Sequence, residues 1–318
     1  YQNEGKRSGA YSAGAAVHPF VLLNYTGTLD SQFTLAHEMG HALHSYYSNE
    51  NQPTVYSDYE IFVAEVASTF NESLLMQYLL KTTEDKKQKA YLINYFLEQF
   101  RTTLYRQTMF AEFELKINEA QAAGEAITSD FLCELYGNLN KLYFGDAITH
   151  DEEINYEWAR IPHFYYNYYV YQYSTGFAAA IALSQRVLNG GEAEVNDYIG
   201  FLKGGNSKTP VDLLKGAGVD MTDPKPIEAA IELFGQLLDE MEELGNYLNM
   251  YDYEKQEIFL DVKFTQEERW KMRIRECRNK IIAEINDMER IVILDTILSM
   301  VTRLHREEQE KRQRQVVE

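Results

Sequence analysis

The five residues His37-Glu38-Met39-Gly40-His41 set two imidazoles four positions apart, with a carboxylate directly after the first. On a helix, positions i and i+4 share a face, with Cβ atoms roughly 5–6 Å apart. Both rings can then reach one Zn²⁺ at about 2.0–2.1 Å. Glu38 falls beside the metal, where a carboxylate can take a proton from metal-bound water and pass it to a leaving amine. The spacing therefore predicts hydrolysis of the zinc-peptidase kind, with His37 and His41 as ligands and Glu38 as general base. An amphipathic helix can also carry two histidines for packing alone. The setting favours the metal: Leu35, Ala36, Met39, Ala42 and Leu43 supply apolar positions at helical spacing, and Ser31 is a candidate N-cap.

A catalytic zinc usually takes three protein ligands and keeps one position for water. The third ligand must come from another element, and the segment from Ile61 to Glu72 is the best source. It is an otherwise apolar helical stretch carrying Glu65 and Glu72, two helical turns apart and so on one face. A carboxylate in an apolar run is costly to bury without a partner. Zinc would be such a partner for Glu65; the alternative is a core ion pair with an arginine or lysine. Glu72 is expected behind the metal, holding a histidine by its other ring nitrogen.

A third constellation, from Ile161 to Gly176, packs phenols after a proline: Pro162-His163-Phe164-Tyr165-Tyr166-Asn167-Tyr168-Tyr169-Val170-Tyr171-Gln172-Tyr173. Peptide hydrolysis passes through an oxyanion, which a tyrosine O–H or histidine N–H can stabilise. A helix beginning near His163 would put Tyr166 and Tyr173 two turns apart on one face. His163, Tyr166 and Tyr173 are therefore the expected inward set, and Tyr165, Tyr168, Tyr169 and Tyr171 are expected to pack.

Several separated motifs now combine. The run from His37 to Tyr47, Phe62 to Thr69 with Asn71-Glu72, and the lead-ins Lys6 to Ser12 and Pro19 to Tyr25 resemble the thimet-oligopeptidase-like metallopeptidases. The likeness is to their oligoendopeptidase F branch and runs from about Tyr1 to about Gly245. It implies zinc on His37, His41 and Glu65, Glu38 as general base, and a histidine with tyrosines binding the substrate carbonyl and the oxyanion. The spacing of that histidine from its tyrosines is shorter here than in the thimet branch. The resemblance also implies short peptides as substrates, because its members enclose the site between two helical halves; most of the partner half is not in this sequence.

Among the remaining histidines, His44 is expected to pack or to sit behind the metal, since a fourth protein ligand would close the site to water. His18, before Pro19, reads as a loop residue, and His150, in Thr149-His150-Asp151-Glu152-Glu153, as solvated. Two cysteines, Cys133 and Cys277, do not make a disulfide framework. No apolar run approaches the ~20 residues of a membrane span, and no signal peptide is visible, so cytoplasm is the expected location. The sequence opens in mid-motif at Tyr1, so an upstream segment would not be seen.

The net charge of −19 is uneven. Up to Gly245 there are 34 acidic and 16 basic residues; from Asn246 on there are 15 and 14, and all 18 glycines and six prolines precede Asn246. That change marks a boundary near Gly245. Residues 1–245 are the part that the motifs and the resemblance make a zincin-type catalytic domain, and 246–318 are expected to form a helical hairpin or coiled coil. In the latter, Ile274, Ile281, Ile285, Leu294 and Leu298 are among the apolar residues spaced by threes and fours. Its mixed-sign end from Arg303 to Gln315 argues against a nucleic-acid patch.

The expected fold is mainly α, with a small β-sheet beside the zinc helix. Helical patterns run from Ile61 to Leu80, Asp85 to Ala122, Ser129 to Phe144, Pro162 to Leu188, and from Pro224/Pro226 to Leu244. The Pro19-to-Tyr25 run suggests strands. Gly204-Gly205-Asn206-Ser207 reads as a turn or a cradle for substrate backbone. Two other functions fit less of the sequence. One is a zinc carboxypeptidase, needing a cation such as Lys6, Arg7 or Arg160 for a free carboxylate. The other is a scaffold that self-associates through its C-terminal helices.

Overall fold

A computed structural model of the chain describes residues 9–145 and 148–249. The expected helices of 265–315, Cys277 and the lead-in residues Lys6 and Arg7 lie outside the described residues, as does nearly all of 246–318.

Elements follow the order β1 (Ala10–Ala13), β2 (Phe20–Leu23), α1 (Leu29–Asn51), α2 (Ile61–Thr82), α3 (Lys86–Gln99), a π-helical segment (Phe100–Tyr105), α4 (Arg106–Ala122), α5 (Ser129–Phe144), 3₁₀ segments (Glu152–Arg160 and Pro162–Tyr165), α6 (Tyr171–Asn189), α7 (Glu192–Leu202), α8 (Pro210–Gly216) and α9 (Lys225–Asn249). The fold is mainly α, as the sequence predicts. The strands form an antiparallel pair with Ala10 opposite Leu23 and Ala13 opposite Phe20, and both pack on α1.

The described residues divide into two compact units. One takes the chain up to Glu98 together with Thr175–Leu248; the other takes Gln99–Ser174.

In the first unit α1 and α2 make the most extensive contact between elements. Most of the first half of α2 is buried: Phe62, Val63, Ala64, Val66, Ala67, Ser68 and Phe70 are all enclosed, while Glu65 is partly open. A helical stretch apolar over most of its surface belongs in a core. Tyr198 of α7 stacks on Phe70 at 3.7 Å between ring centroids. The Ser73 and Ser184 hydroxyls, both buried, hydrogen-bond at 2.7 Å and tie α2 to α6. Small residues Ala178, Ala179 and Ala180, fully buried with Ile181, let α6 approach closely.

The start of α1 differs from the sequence expectation. Thr28, not Ser31, caps the helix, its hydroxyl accepting from the Ser31 N–H at 3.2 Å. Ser31 instead joins a hydroxyl cluster with Thr26 and Thr28. The other end of α1 is braced by the glycine loop: Asn206 N–H donates to the Tyr56 carbonyl at 2.9 Å, and Gln52 Nε2 donates to the Lys203 carbonyl at 2.8 Å. Gly205 has φ +49°, and a Cβ there would lie 2.1 Å from that Tyr56 oxygen. Of the two expectations for this loop, the structure gives the turn: its glycine backbone seats the α1–α2 connection.

The second unit is built on α4 and α5. Met109, Phe110 and Phe113 pack against Tyr136, Leu139 and Tyr143, with Ile161 and Val170 completing the core. The expected continuous helix from Pro162 is not formed. A 3₁₀ turn ends at Tyr165, Asn167 and Tyr168 take positive φ of 41° and 56°, and α6 begins only at Tyr171. Two successive left-handed residues cannot continue a right-handed helix, so Tyr166 and Tyr173 do not share a helical face.

Candidate active site

His37, Glu38 and His41 lie in the middle of α1, and Glu65 and Glu72 on the facing side of α2. What lets these helices close is Gly40. A Cβ at that position would fall 2.5 Å from the Ala67 carbonyl oxygen and 2.6 Å from Ser68 Cα, both backbone atoms. Asn71 Nδ2 donates across the same seam to the Ala36 carbonyl at 3.2 Å.

At this crossing three ligand atoms converge. His37 Nε2 lies 3.1 Å from His41 Nε2, and Glu65 Oε2 lies 3.4 Å from the first and 3.7 Å from the second. Ligands of a tetrahedral zinc at 2.0–2.1 Å stand about 3.3–3.4 Å from one another. The three atoms are thus spaced as a zinc would space them, and among the described residues they are the one His/Cys/Asp/Glu group of metal-holding geometry. Glu65 is placed by Ser68, whose hydroxyl donates to Oε2 at 3.0 Å. Among the described residues its charged partners are the two imidazoles, so the core ion pair with lysine or arginine is not formed.

Glu72 Oε1 accepts from His37 Nδ1 at 2.6 Å. That bond puts the proton on Nδ1 and turns the lone pair of Nε2 toward the other ligands. Burial opposes charge on His37, but Glu72, with help from Glu65 and Glu38, outweighs it and raises the pKa. On His41 burial wins, and the pKa falls despite Glu65. Glu38 is only 7% exposed, and among the described residues its Oε2 has no hydrogen-bond partner. Burial raises its pKa, Glu65 adds to the rise, and His37 opposes it. A buried carboxylate oxygen left unpartnered beside three converging ligands is costly unless a reactant or ion uses it, and it suits a proton acceptor.

His44 is not part of this group. It is fully buried, stacked on Tyr59 at 3.7 Å and close to Phe201. His18 is a loop residue, its ring against Phe20. His150, expected to be solvated, instead uses both ring nitrogens, on Asn140 Oδ1 at 2.9 Å and the Gly145 carbonyl at 2.8 Å, tying down the end of α5.

The phenol-rich segment lies in the second unit. His163 Nε2 and the Tyr173 hydroxyl are 3.4 Å apart, and Tyr169 stacks on the His163 ring at 5.6 Å. Tyr166 is 64% exposed and touches the edge of the group, 6.5 Å from His163 and 5.9 Å from Tyr169. Tyr169 packs, as expected, but it does so within this cluster, against the rings of His163, Tyr166 and Tyr173; nothing in the residue spacing signals the turn that brings it there. Tyr165, also expected to pack, is exposed.

The profile of peptidase family M3 matches residues 1–233, a stretch that includes every residue of both groups. The chain belongs to this family. Among M3 relatives, it is 56% identical over 245 residues to oligopeptidase PepF of Bacillus subtilis, covering 77% of this chain and 37% of that one. It is 52% identical over 244 residues to an oligoendopeptidase F homologue of Lactococcus lactis, covering 76% and 41%. The crystal structure of oligoendopeptidase-F from Enterococcus faecium superposes with a TM-score of 0.63 at 48% identity, covering 69% of this chain and 40% of that one. The chain therefore spans about two fifths of the length of the curated M3 relatives it matches. Among its described residues, no helix is long and apolar enough to cross a membrane.

Proposed function

We propose that the chain carries the catalytic centre of a zinc-dependent endopeptidase acting on internal bonds of oligopeptides. The observation that carries the reading is the convergence of His37, His41 and Glu65 at tetrahedral ligand spacing beside the unpartnered carboxylate oxygen of Glu38. The names of the M3 relatives, oligopeptidase and oligoendopeptidase, support the choice of peptide substrates.

Zinc, when bound, would supply Lewis acidity toward water and the scissile carbonyl. The chain's own groups do the rest. His37 and His41 present neutral nitrogens, the first held in its tautomer by Glu72. Glu38 takes the proton of the attacking water and returns it to the departing amine. His163 and Tyr173 donate hydrogen bonds to the substrate carbonyl as its oxygen gains charge, with Tyr166 as a further donor. The carboxypeptidase alternative finds little support: Arg160, its candidate in the described residues, is already paired with Glu157.

Glu38→Gln tests the reading. The variant should bind zinc as the parent does and lose peptide turnover by about 10²–10⁴-fold, the usual contribution of a positioned acid–base group. Turnover within a few-fold of the parent would remove Glu38 from the base role.

A further inference from the structure

The geometry points to Glu114 as a positioning residue that builds the His163–Tyr169–Tyr173 cluster by holding the backbone at Tyr168. Glu114 lies on α4, is 4% exposed, and takes no part in the metal-ligand group. Its Oε1 accepts a hydrogen bond from the backbone N–H of Tyr168, a residue 54 positions away. That N–H belongs to the second of two successive left-handed residues, Asn167 at φ +41° and Tyr168 at φ +56°. Asparagine tolerates this region, whereas a tyrosine seldom enters it without something to hold it there. A buried carboxylate accepting from the amide is a strong, charge-assisted holder.

The segment is fixed to α4 at three places. Before the turn, Phe164 packs its ring against Phe110 and Phe113 at 5.4 and 5.2 Å. After it, Val170 is fully buried in the same core. Glu114 holds the amide between these anchors, and the chain folds back on itself. The fold-back is what makes the cluster. His163 and Tyr173 are ten residues apart, about 15 Å along a continuous helix, yet their ring centroids are 5.8 Å apart. Tyr169, six residues from His163, lies against its ring at an interplanar angle of 16°. The inference rests on the proposed role of His163 and Tyr173 as donors to the substrate carbonyl, but its structural half can be tested apart from that role.

The test uses the full 318-residue chain in two measurements that need no turnover: hydrogen exchange followed on the peptide spanning 164–170, and the NMR signal of ¹³C-labelled His163, assigned with His163→Gln. In Glu114→Met, exchange of that peptide should quicken about tenfold or more, the scale of losing a hydrogen bond to a charged group. The His163 signal should move, while exchange in α5 and the thermal midpoint stay close to the parent. Glu114→Gln keeps an acceptor oxygen and should restore most of both. If Glu114→Met fails to fold, Glu114→Asp withdraws the carboxylate by one methylene and should give the same acceleration. Unchanged exchange in the variants overturns the proposal, as does faster exchange with an unmoved His163 signal, which would make Glu114 a local brace only. Failure of the donor role is seen separately, as unaltered kcat in His163→Gln and Tyr173→Phe.

Discussion

Glu72 stands one hydrogen bond behind the proposed metal-ligand group, its Oε1 accepting from His37 Nδ1 at 2.6 Å from a position two turns beyond Glu65 on α2. One helix face thus supplies a proposed ligand and the group that orients another ligand. Glu72→Ala should weaken zinc binding by about 10–100-fold, the usual cost of losing a partner of this kind, with Glu72→Gln losing less. Competition with a chelator of known affinity measures this; equal affinities in parent and Glu72→Ala would show that the bond does not tune the ligand.

Gly40 is predicted to be intolerant of even a methyl group. Alanine favours a helix over glycine by about 0.5–1 kcal/mol, but here its Cβ would meet backbone atoms of Ala67 and Ser68 that cannot rotate away. Overpacking of this kind costs about 1–3 kcal/mol. Gly40→Ala should therefore lower the thermal midpoint and loosen zinc binding together, because the same crossing brings Glu65 to His37 and His41. A stabilised Gly40→Ala with unchanged zinc affinity would show that the helices can separate at no cost to the site.

Much of the first unit's site is legible in the sequence because its determinants are local. The i, i+4 histidines and the seven-residue interval from Glu65 to Glu72 are helix-face arithmetic, and α2 begins at Ile61 as its pattern predicts. α5 likewise forms over Ser129–Phe144 as its periodicity predicts. The phenol-rich segment is where such arithmetic fails. Its conformation is set by Glu114, 54 residues away, and by packing of Phe164 and Val170 on α4, none of which leaves a mark in local spacing. Thr28 caps α1 although Ser31 is also a good cap residue and lies nearer the motif, a choice that local residue type does not decide. The role of Gly40 could have been suspected from a glycine inside a helical pattern, but only the distance to Ala67 gives the reason.

His44 predicts a pH dependence of stability. Burial, reinforced by His41, pushes its pKa down to about 3, while the unfolded ring titrates near 6.5. Between these values the unfolded chain holds the extra proton. The stability contributed by the neutral ring is complete above about pH 6.5 and drains as pH falls toward 3, at most by about 1.4 kcal/mol per pH unit. His44→Phe keeps a ring to stack on Tyr59 and removes the titration. Urea midpoints at about pH 7 and pH 5 should converge in the variant relative to the parent; identical slopes would mean that His44 is hydrated in solution.

Glu157 is expected to be a stability centre of the second unit. It accepts from the Tyr136 hydroxyl and from Arg106 Nη2, each at 2.6 Å, and pairs also with Arg160. Burial pushes its carboxyl up, but Tyr136 and Arg106 outweigh that and hold it below its ordinary value. The stabilisation is present above the unfolded carboxyl pKa and is lost as pH falls through the lower folded one. Glu157→Ala leaves the buried Tyr136 hydroxyl and Arg106 without their acceptor and should cost about 3 kcal/mol at neutral pH. Calorimetry on the parent, Glu157→Ala and Tyr136→Phe checks this, since a loss below that of Tyr136→Phe would leave the ion pairs contributing nothing.

The most direct test of the account is mass-spectrometric identification of products from a mixture of unstructured oligopeptides, incubated with the zinc-loaded chain with and without a chelator. The account predicts cuts at internal bonds that disappear on chelation and are absent with Glu38→Gln. Removal of single C-terminal residues, or internal cuts that persist after the metal has been stripped, would contradict it.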